Sequence, residues 1–266
     1  MNVSTFQQCQ ISHRGSELPV SYFIRPGSTG ALLYLHGLGA SKRDFLESAN
    51  QDALRNYTVA AFDLPGCGQT PYPADRGLRV EDLVEITDHV VSALSLGSLV
   101  IAGHSLGGLV GLLYAREYGA KLQGLVDIEG NLSPEDCFLT REVARLSFSD
   151  FLATEHLRQL KVDLANAPHP GTRIWASELD QGRARAFYDY AVSIVNWSDN
   201  SDLLSMFESL LIPKLFVYGS ANNHLSYLTR LRRGDASVVE VPQSGHWPHV
   251  DNAPYFYRIL ADFLRV

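Results

Sequence analysis

A chain of 266 residues in which 45% are apolar and 19% charged is built to fold around a core, which excludes a disordered or collagen-like polymer. Its formal net charge of −7 excludes a general electrostatic attraction to phosphate backbones. The one basic cluster, Arg230, Arg232 and Arg233, is followed at once by Asp235 and has no interleaved aromatics, so it reads as a solvated helix end. Cys9, Cys67 and Cys137 stand at long spacings with no CxxC pair and no zinc pattern. Met1–Arg14 lacks a basic start followed by an apolar run, so no signal peptide is expected and the chain reads as reduced and cytoplasmic.

In chain order, Val20–Ile24 reads as a strand stopped by Pro26-Gly27. Ala31–Leu35 is a continuous apolar run closed by His36-Gly37-Leu38-Gly39. Tyr57–Phe62 is closed by Asp63-Leu64-Pro65-Gly66-Cys67-Gly68, where Asp63 reads as a turn carboxylate accepting from nearby N–H groups. Val80–Leu94 places Val80, Leu83, Val84, Thr87, Val90, Val91 and Leu94 on a 3.6-residue period and reads as a helix. Leu99–Ala102 is a short apolar strand ending at Gly103, and Leu106–Tyr118, apolar nearly all round, is a buried helix. No Asp, Glu, Lys or Arg occurs from Val90 to Ala115, and Gly103, Gly107 and Gly111 mimic a membrane helix-dimer motif. The centre of that run is polar and glycine-rich where a membrane span is most apolar, so strand, turn and buried helix explain it better.

Leu122–Ile128, Leu215–Tyr218 and Val238–Val241 are further strands, and Pro254–Leu264 is a closing helix with Tyr255, Ile259, Leu260 and Phe263 on one face. Continuous rather than alternating apolar strands belong to a parallel sheet buried on both faces. Their alternation with helices predicts an α/β fold, a mostly parallel central sheet flanked by helices. Residues 131–209 break the alternation and are rich in aromatics, among them Phe138, Phe151, Trp175, Phe187, Tyr190 and Trp197. An insertion this long does not stay a simple loop. It is expected to be a helical cap over the C-terminal edge of a sheet built from 1–130 and 210–266, with some of its aromatics lining a pocket.

The strongest chemical signal is Gly103-His104-Ser105-Leu106-Gly107, between a strand and a helix. A serine on so sharp a turn has a strained backbone and brings strand and helix close together. The positions two before and two after it must therefore be small. Ser105 is the candidate nucleophile. The N–H groups of Leu38 and Leu106 are the candidate oxyanion-hole pair, with the positive end of the helix behind them. A hydroxyl needs a base. His246, on the loop Ser244-Gly245-His246-Trp247-Pro248 beyond the last strand, is that candidate; His249 is a rival that otherwise reads as a surface imidazole. His36 reads as a structural hydrogen-bonding residue, and His13, His89, His156, His169 and His224 have no supporting context.

HGLGAS, DLPGCGQT, GHSLGG and SGHWPHVDNAPYF, in this order, resemble the α/β-hydrolase superfamily of the capped epoxide-hydrolase, esterase and C–C-hydrolase type. The resemblance spans about Val20–Val266 outside the cap. It implies a Ser–acid–His triad, no cofactor and no metal, acting on a small-molecule substrate, with no nucleic-acid or membrane partner. A serine rather than an aspartate nucleophile argues against epoxide-hydrolase or dehalogenase chemistry. Relatives usually carry the acid after the strand that here is Leu215–Tyr218, but this chain reads Gly219-Ser220-Ala221-Asn222-Asn223. Glu129, at the end of Leu122–Ile128, is the favoured replacement; Asp127, Asn222 or Asn223, Asp199 and Asp202 remain alternatives. The expected activity is hydrolysis of an ester, thioester or activated carbonyl through an acyl-enzyme. A ligand receptor of the same fold with little turnover is the alternative.

Overall fold

The computed structural model describes residues 6–73 and 76–265. Eight strands make one sheet: β1 (Gln7–His13), β2 (Ser16–Arg25), β3 (Ala31–Leu35), β4 (Thr58–Phe62), β5 (Leu99–His104), β6 (Leu122–Ile128), β7 (Lys214–Gly219) and β8 (Ser237–Val241), in the spatial order β1-β2-β4-β3-β5-β6-β7-β8. β2 pairs antiparallel with both β1 and β4, and every pairing from β4 to β8 is parallel. This is the expected sheet with one addition. β1 reads Gln-Gln-Cys-Gln-Ile-Ser-His, is mostly exposed at its start and lies at an edge, so it has no apolar run to announce it.

The continuous apolar strands are buried on both faces. Leu33, Leu35, Leu99, Ile101 and Leu125 pack on one side, against α1 (Val80–Ala93) and α2 (Leu106–Tyr118). Leu32, Tyr34, Val100, Ala102 and Val126 pack on the other, with Phe45 and the helices α10 (Pro248–Asp251) and α11 (Ala253–Phe263) near the C-terminus. α11 turns its face differently from the sequence expectation. Ala253, Phe256, Tyr257, Leu260 and Ala261 are buried, while Tyr255, Ile259 and Phe263 are only partly covered. The buried set is the i, i+3, i+4 stripe that starts one residue before Pro254.

Between β6 and β7 the chain forms no strand. It makes α3 (Phe138–Ala144), α4 (Phe148–Ala153), α5 (His156–Asp163), α6 (Pro170–Glu178), α7 (Ala184–Asn200) and α8 (Leu203–Glu208), and the short α9 (Leu228–Leu231) follows β7. Phe151, Phe187, Tyr190 and Phe207 are buried in their packing, and the Tyr190 hydroxyl donates to the Pro65 carbonyl at 2.8 Å. Asp202 caps α8 by accepting from Ser205 N–H at 3.0 Å, while Asp199 pairs with Arg141 on the surface. Asp63 is fully buried and accepts from Lys42 N–H, Gln69 N–H and the Lys42 ammonium. It is a turn carboxylate as expected, with a buried cation as well. Among the described residues no helix is long and apolar enough to cross a membrane.

Candidate active site

Ser105 lies between β5 and α2 with φ 52° and ψ −118°. A non-glycine residue at positive φ stores roughly 1–3 kcal/mol of strain, and the surrounding packing must over-determine it. The glycines do this. A Cβ on Gly103 would stand 2.1 Å from the Gly107 carbonyl oxygen, and one on Gly107 would stand 2.1 Å from the Leu35 carbonyl oxygen. Strand and helix therefore approach to a distance only hydrogen side chains permit. Ser105 N–H donates to the Ile128 carbonyl at 3.0 Å, fixing the turn to β6. Leu106 is the first residue of α2, and the first N–H groups of a helix have no intrahelical acceptor. Leu38 borders the same cavity as Ser105, and its carbonyl accepts from the Trp175 indole N–H at 2.7 Å. A side chain of α6 thus holds the peptide that follows β3.

His246 follows β8 and lines that cavity with Ser105. Its Nδ1 lies 2.8 Å from Glu129 Oε2. A carboxylate there requires the proton on Nδ1 and leaves the lone pair on Nε2. Glu129, itself at φ 52° and with its side chain only 4% exposed, also accepts from Gly219 N–H at 2.6 Å and from the Asn222 amide at 2.6 Å. Three donors therefore converge on one buried carboxylate. The alternatives for the acid lie elsewhere. Asp127 is buried below Gly130, accepts its N–H at 2.6 Å, and has its carboxyl pushed up to about 8 by burial. Asp199 and Asp202 have the surface and capping roles already given.

His249 departs from its sequence reading as a surface imidazole. It is 1% exposed and stacks on Phe45, because the short helix α10 turns it under the sheet edge. His36 accepts from Leu64 N–H at its Nε2 and contacts the Gly37 carbonyl at its Nδ1, the structural role expected. Sequence reasoning misses three supporting residues. Asn222 enters it only as a rival acid, whereas its amide holds Glu129. Trp175 is one cap aromatic among several. Asp251 accepts from Gly245 N–H at 2.9 Å and Gly171 N–H at 2.7 Å, tying the His246 loop to α6; a lone aspartate in a helical turn gives no signal of this.

The cavity over Ser105 has a volume of about 300 Å³ and is walled by Phe138, Leu139, Leu160, Leu164, Trp175 and Ile194. Among the described residues lining it there is no Lys or Arg, and Asp136 is the one carboxyl group. Burial pushes that carboxyl up to about 7, against donation from the Leu132 and Ser133 N–H groups and the Tyr227 hydroxyl.

A mostly parallel sheet with a strained serine turn after its β5 strand, and a histidine and a buried carboxylate beyond neighbouring strands, is the frame of an α/β hydrolase. The chain belongs to the alpha/beta hydrolase family, whose model matches residues 32–258. It is 23% identical to the 2-hydroxy-6-oxononadienedioate/2-hydroxy-6-oxononatrienedioate hydrolase of Burkholderia vietnamiensis, over 98% of this chain and 96% of that one. It is 24% identical to the sn-1-specific diacylglycerol lipase of Mus musculus, over 93% and 85%. Among solved structures, a thermophilic esterase from Thermogutta terrifontis superposes with TM-score 0.77 at 19% identity, covering 97% and 98%. The relatives are hydrolases, and so is this chain.

Proposed function

We propose that the protein is a serine hydrolase working without a cofactor through Ser105, His246 and Glu129, on neutral esters or thioesters of small to medium apolar acids. One observation carries the reading: Glu129 Oε2 lies 2.8 Å from Nδ1 of His246, and His246 lines the cavity that also presents Ser105 at positive φ. His246 Nε2 takes the Ser105 proton as Oγ attacks the carbonyl carbon. The N–H groups of Leu38 and Leu106 stabilise the oxyanion, and Glu129 stabilises the imidazolium. His246 then protonates the leaving group, and water activated by the same nitrogen releases the acid. Residues 131–209 act as the cap that walls the cavity.

The apolar wall and the lack of a lining cation favour a neutral substrate. The relative from Burkholderia vietnamiensis acts on a dioate, a substrate with two carboxylates, which would here meet no positive side chain and one acidic group. A panel of p-nitrophenyl and acyl-thioester substrates of rising chain length, together with a dicarboxylate analogue, tests this. Steady turnover falling off beyond a medium chain, with the dicarboxylate poorly used, is expected. A burst without turnover would instead favour the receptor reading.

A further inference from the structure

We propose that Asp44, His104 and His249 form a site for one first-row transition-metal cation, best matched to Zn²⁺, against the back of the loop that carries His246. The three come from separate parts of the chain: Asp44 from the 3-10 segment Lys42–Asn50 after β3, His104 from the end of β5, and His249 from α10. One donor atom from each lies within 4.8 Å of the others. None of the three takes part in the chemistry above, although His104 also borders the cavity over Ser105.

Their polar atoms are unpaired. Asp44 Oδ2, His104 Nδ1 and both ring nitrogens of His249 are buried with no hydrogen-bond partner. A buried polar group without a partner is rare and destabilising, and here three neighbouring residues share the condition. The imidazoles are in the form a metal needs. His104 Nε2 lies 2.7 Å from the His246 carbonyl oxygen, so Nε2 carries the proton and Nδ1 the lone pair. Donation of the second ring N–H to a backbone carbonyl is the usual support of a ligating histidine. Burial holds both rings neutral, that of His249 down to about 3, and pushes the Asp44 carboxyl well above the usual carboxylate range, so zinc must displace its proton. The His249 ring is fixed between Phe45 at 4.7 Å and His104 at 4.9 Å.

Two imidazoles and one carboxylate suit Zn²⁺ or a neighbour in the first row, whereas Mg²⁺ and Ca²⁺ prefer all-oxygen sets. Tetrahedral ligands at ~2.1 Å from zinc stand about 3.4 Å apart, so the donors must close by up to roughly 1.4 Å. Asp44, whose Oδ2 is buried although the residue is partly exposed, lies on the 3-10 segment that must supply that movement. A second histidine–carboxylate cluster, His13 with Asp82 and Glu85, differs in that Arg14 and Arg76 already bring positive charge to it.

The test uses the full chain, stripped with a chelator and dialysed. Zn²⁺ is titrated in competition with a chromophoric chelator, and thermal melts are run with Zn²⁺ and with Mg²⁺. One equivalent of zinc should bind, and a hundredfold excess over Kd should raise Tm by about 5–10 °C, with no shift from Mg²⁺. Ser105→Ala should bind zinc as wild type does, so the result stands apart from the hydrolase reading. His249→Phe, which keeps a ring on Phe45, and Asp44→Asn should each weaken zinc binding at least tenfold. If His249→Phe does not fold, Asp44→Asn alone decides. No stoichiometric zinc, or zinc bound equally by wild type and the folded variants, overturns the proposal.

Discussion

Replacing Glu129 by glutamine tests the least conventional member of the site, and the structure says how the amide must sit. Glu129 Oε1 accepts from Gly219 N–H, and Oε2 accepts from both Asn222 and His246 Nδ1. If the NH2 of the introduced amide took the Oε1 position, it would face the Gly219 N–H, two buried donors opposed, at a cost of about 1–3 kcal/mol. If it takes the Oε2 position, Asn222 can rotate its amide to offer oxygen, and His246 is left to accept at Nδ1. The second arrangement wins, and it forces the proton onto Nε2, the nitrogen that should receive the Ser105 proton. A tautomer inversion of this kind lowers kcat by about 10³–10⁴ in serine triads, equivalent to about 4–5.5 kcal/mol of activation free energy. The assay is steady-state hydrolysis of a short p-nitrophenyl ester by wild type and Glu129→Gln, with a thermal melt to verify folding. KM should change little, because the amide does not border the acyl pocket. A folded Glu129→Gln variant within tenfold of wild-type kcat would refute the reasoning and send the search for the acid elsewhere.

The other expected outcomes are smaller or concern the scaffold. Asn222→Ala removes one of three donors to Glu129 and leaves Gly219 and His246 in place, so kcat should fall by only about 3–10-fold; a loss equal to that of Glu129→Gln would make Asn222 part of the chemistry. Gly103→Ala sets a methyl 2.1 Å from the Gly107 oxygen and should destabilise by about 3 kcal/mol or more, roughly 6–12 °C in Tm; an unchanged melt would contradict the close approach at the serine turn. Burial raises the Asp127 carboxyl to about 8, above its unfolded value, so its contribution is present below about pH 4 and is lost as pH rises toward 8. Denaturant unfolding of Asp127→Asn should accordingly lose less stability than wild type between pH 4 and 8, and parallel pH curves would refute the buried-acid assignment.

The sheet was legible because both its faces are covered. Ala31–Leu35 reads as apolar from end to end and Leu122–Ile128 as mainly aliphatic around Gln123, Gly124 and Asp127, and their limits coincide with β3 and β6. β1 was not legible, since an edge strand can be polar and still gain its pairing from β2. The serine turn was legible because its geometry restricts composition at Gly103 and Gly107. The Glu129 contact was reachable from a strand-end position, but the donors that hold the carboxylate were not: Gly219 acts through its backbone, and Asn222 is one of two adjacent asparagines. His249 is misread because nothing in Trp247-Pro248-His249 marks the turn that carries it inward. The unpaired state of Asp44, His104 and His249 depends on contacts among residues far apart in the chain, which no local pattern records.

The central claim is that Ser105 is the nucleophile of a hydrolytic triad, and covalent capture tests it most directly. The protein is treated with a fluorophosphonate, digested, and the modified peptide located by mass spectrometry. One adduct on Ser105 is expected, formed at a rate that falls by orders of magnitude in His246→Ala, with no label in Ser105→Ala and with p-nitrophenyl ester turnover lost in step. An unlabelled Ser105, or a folded Ser105→Ala variant that still hydrolyses the ester at near the wild-type rate, would contradict the account.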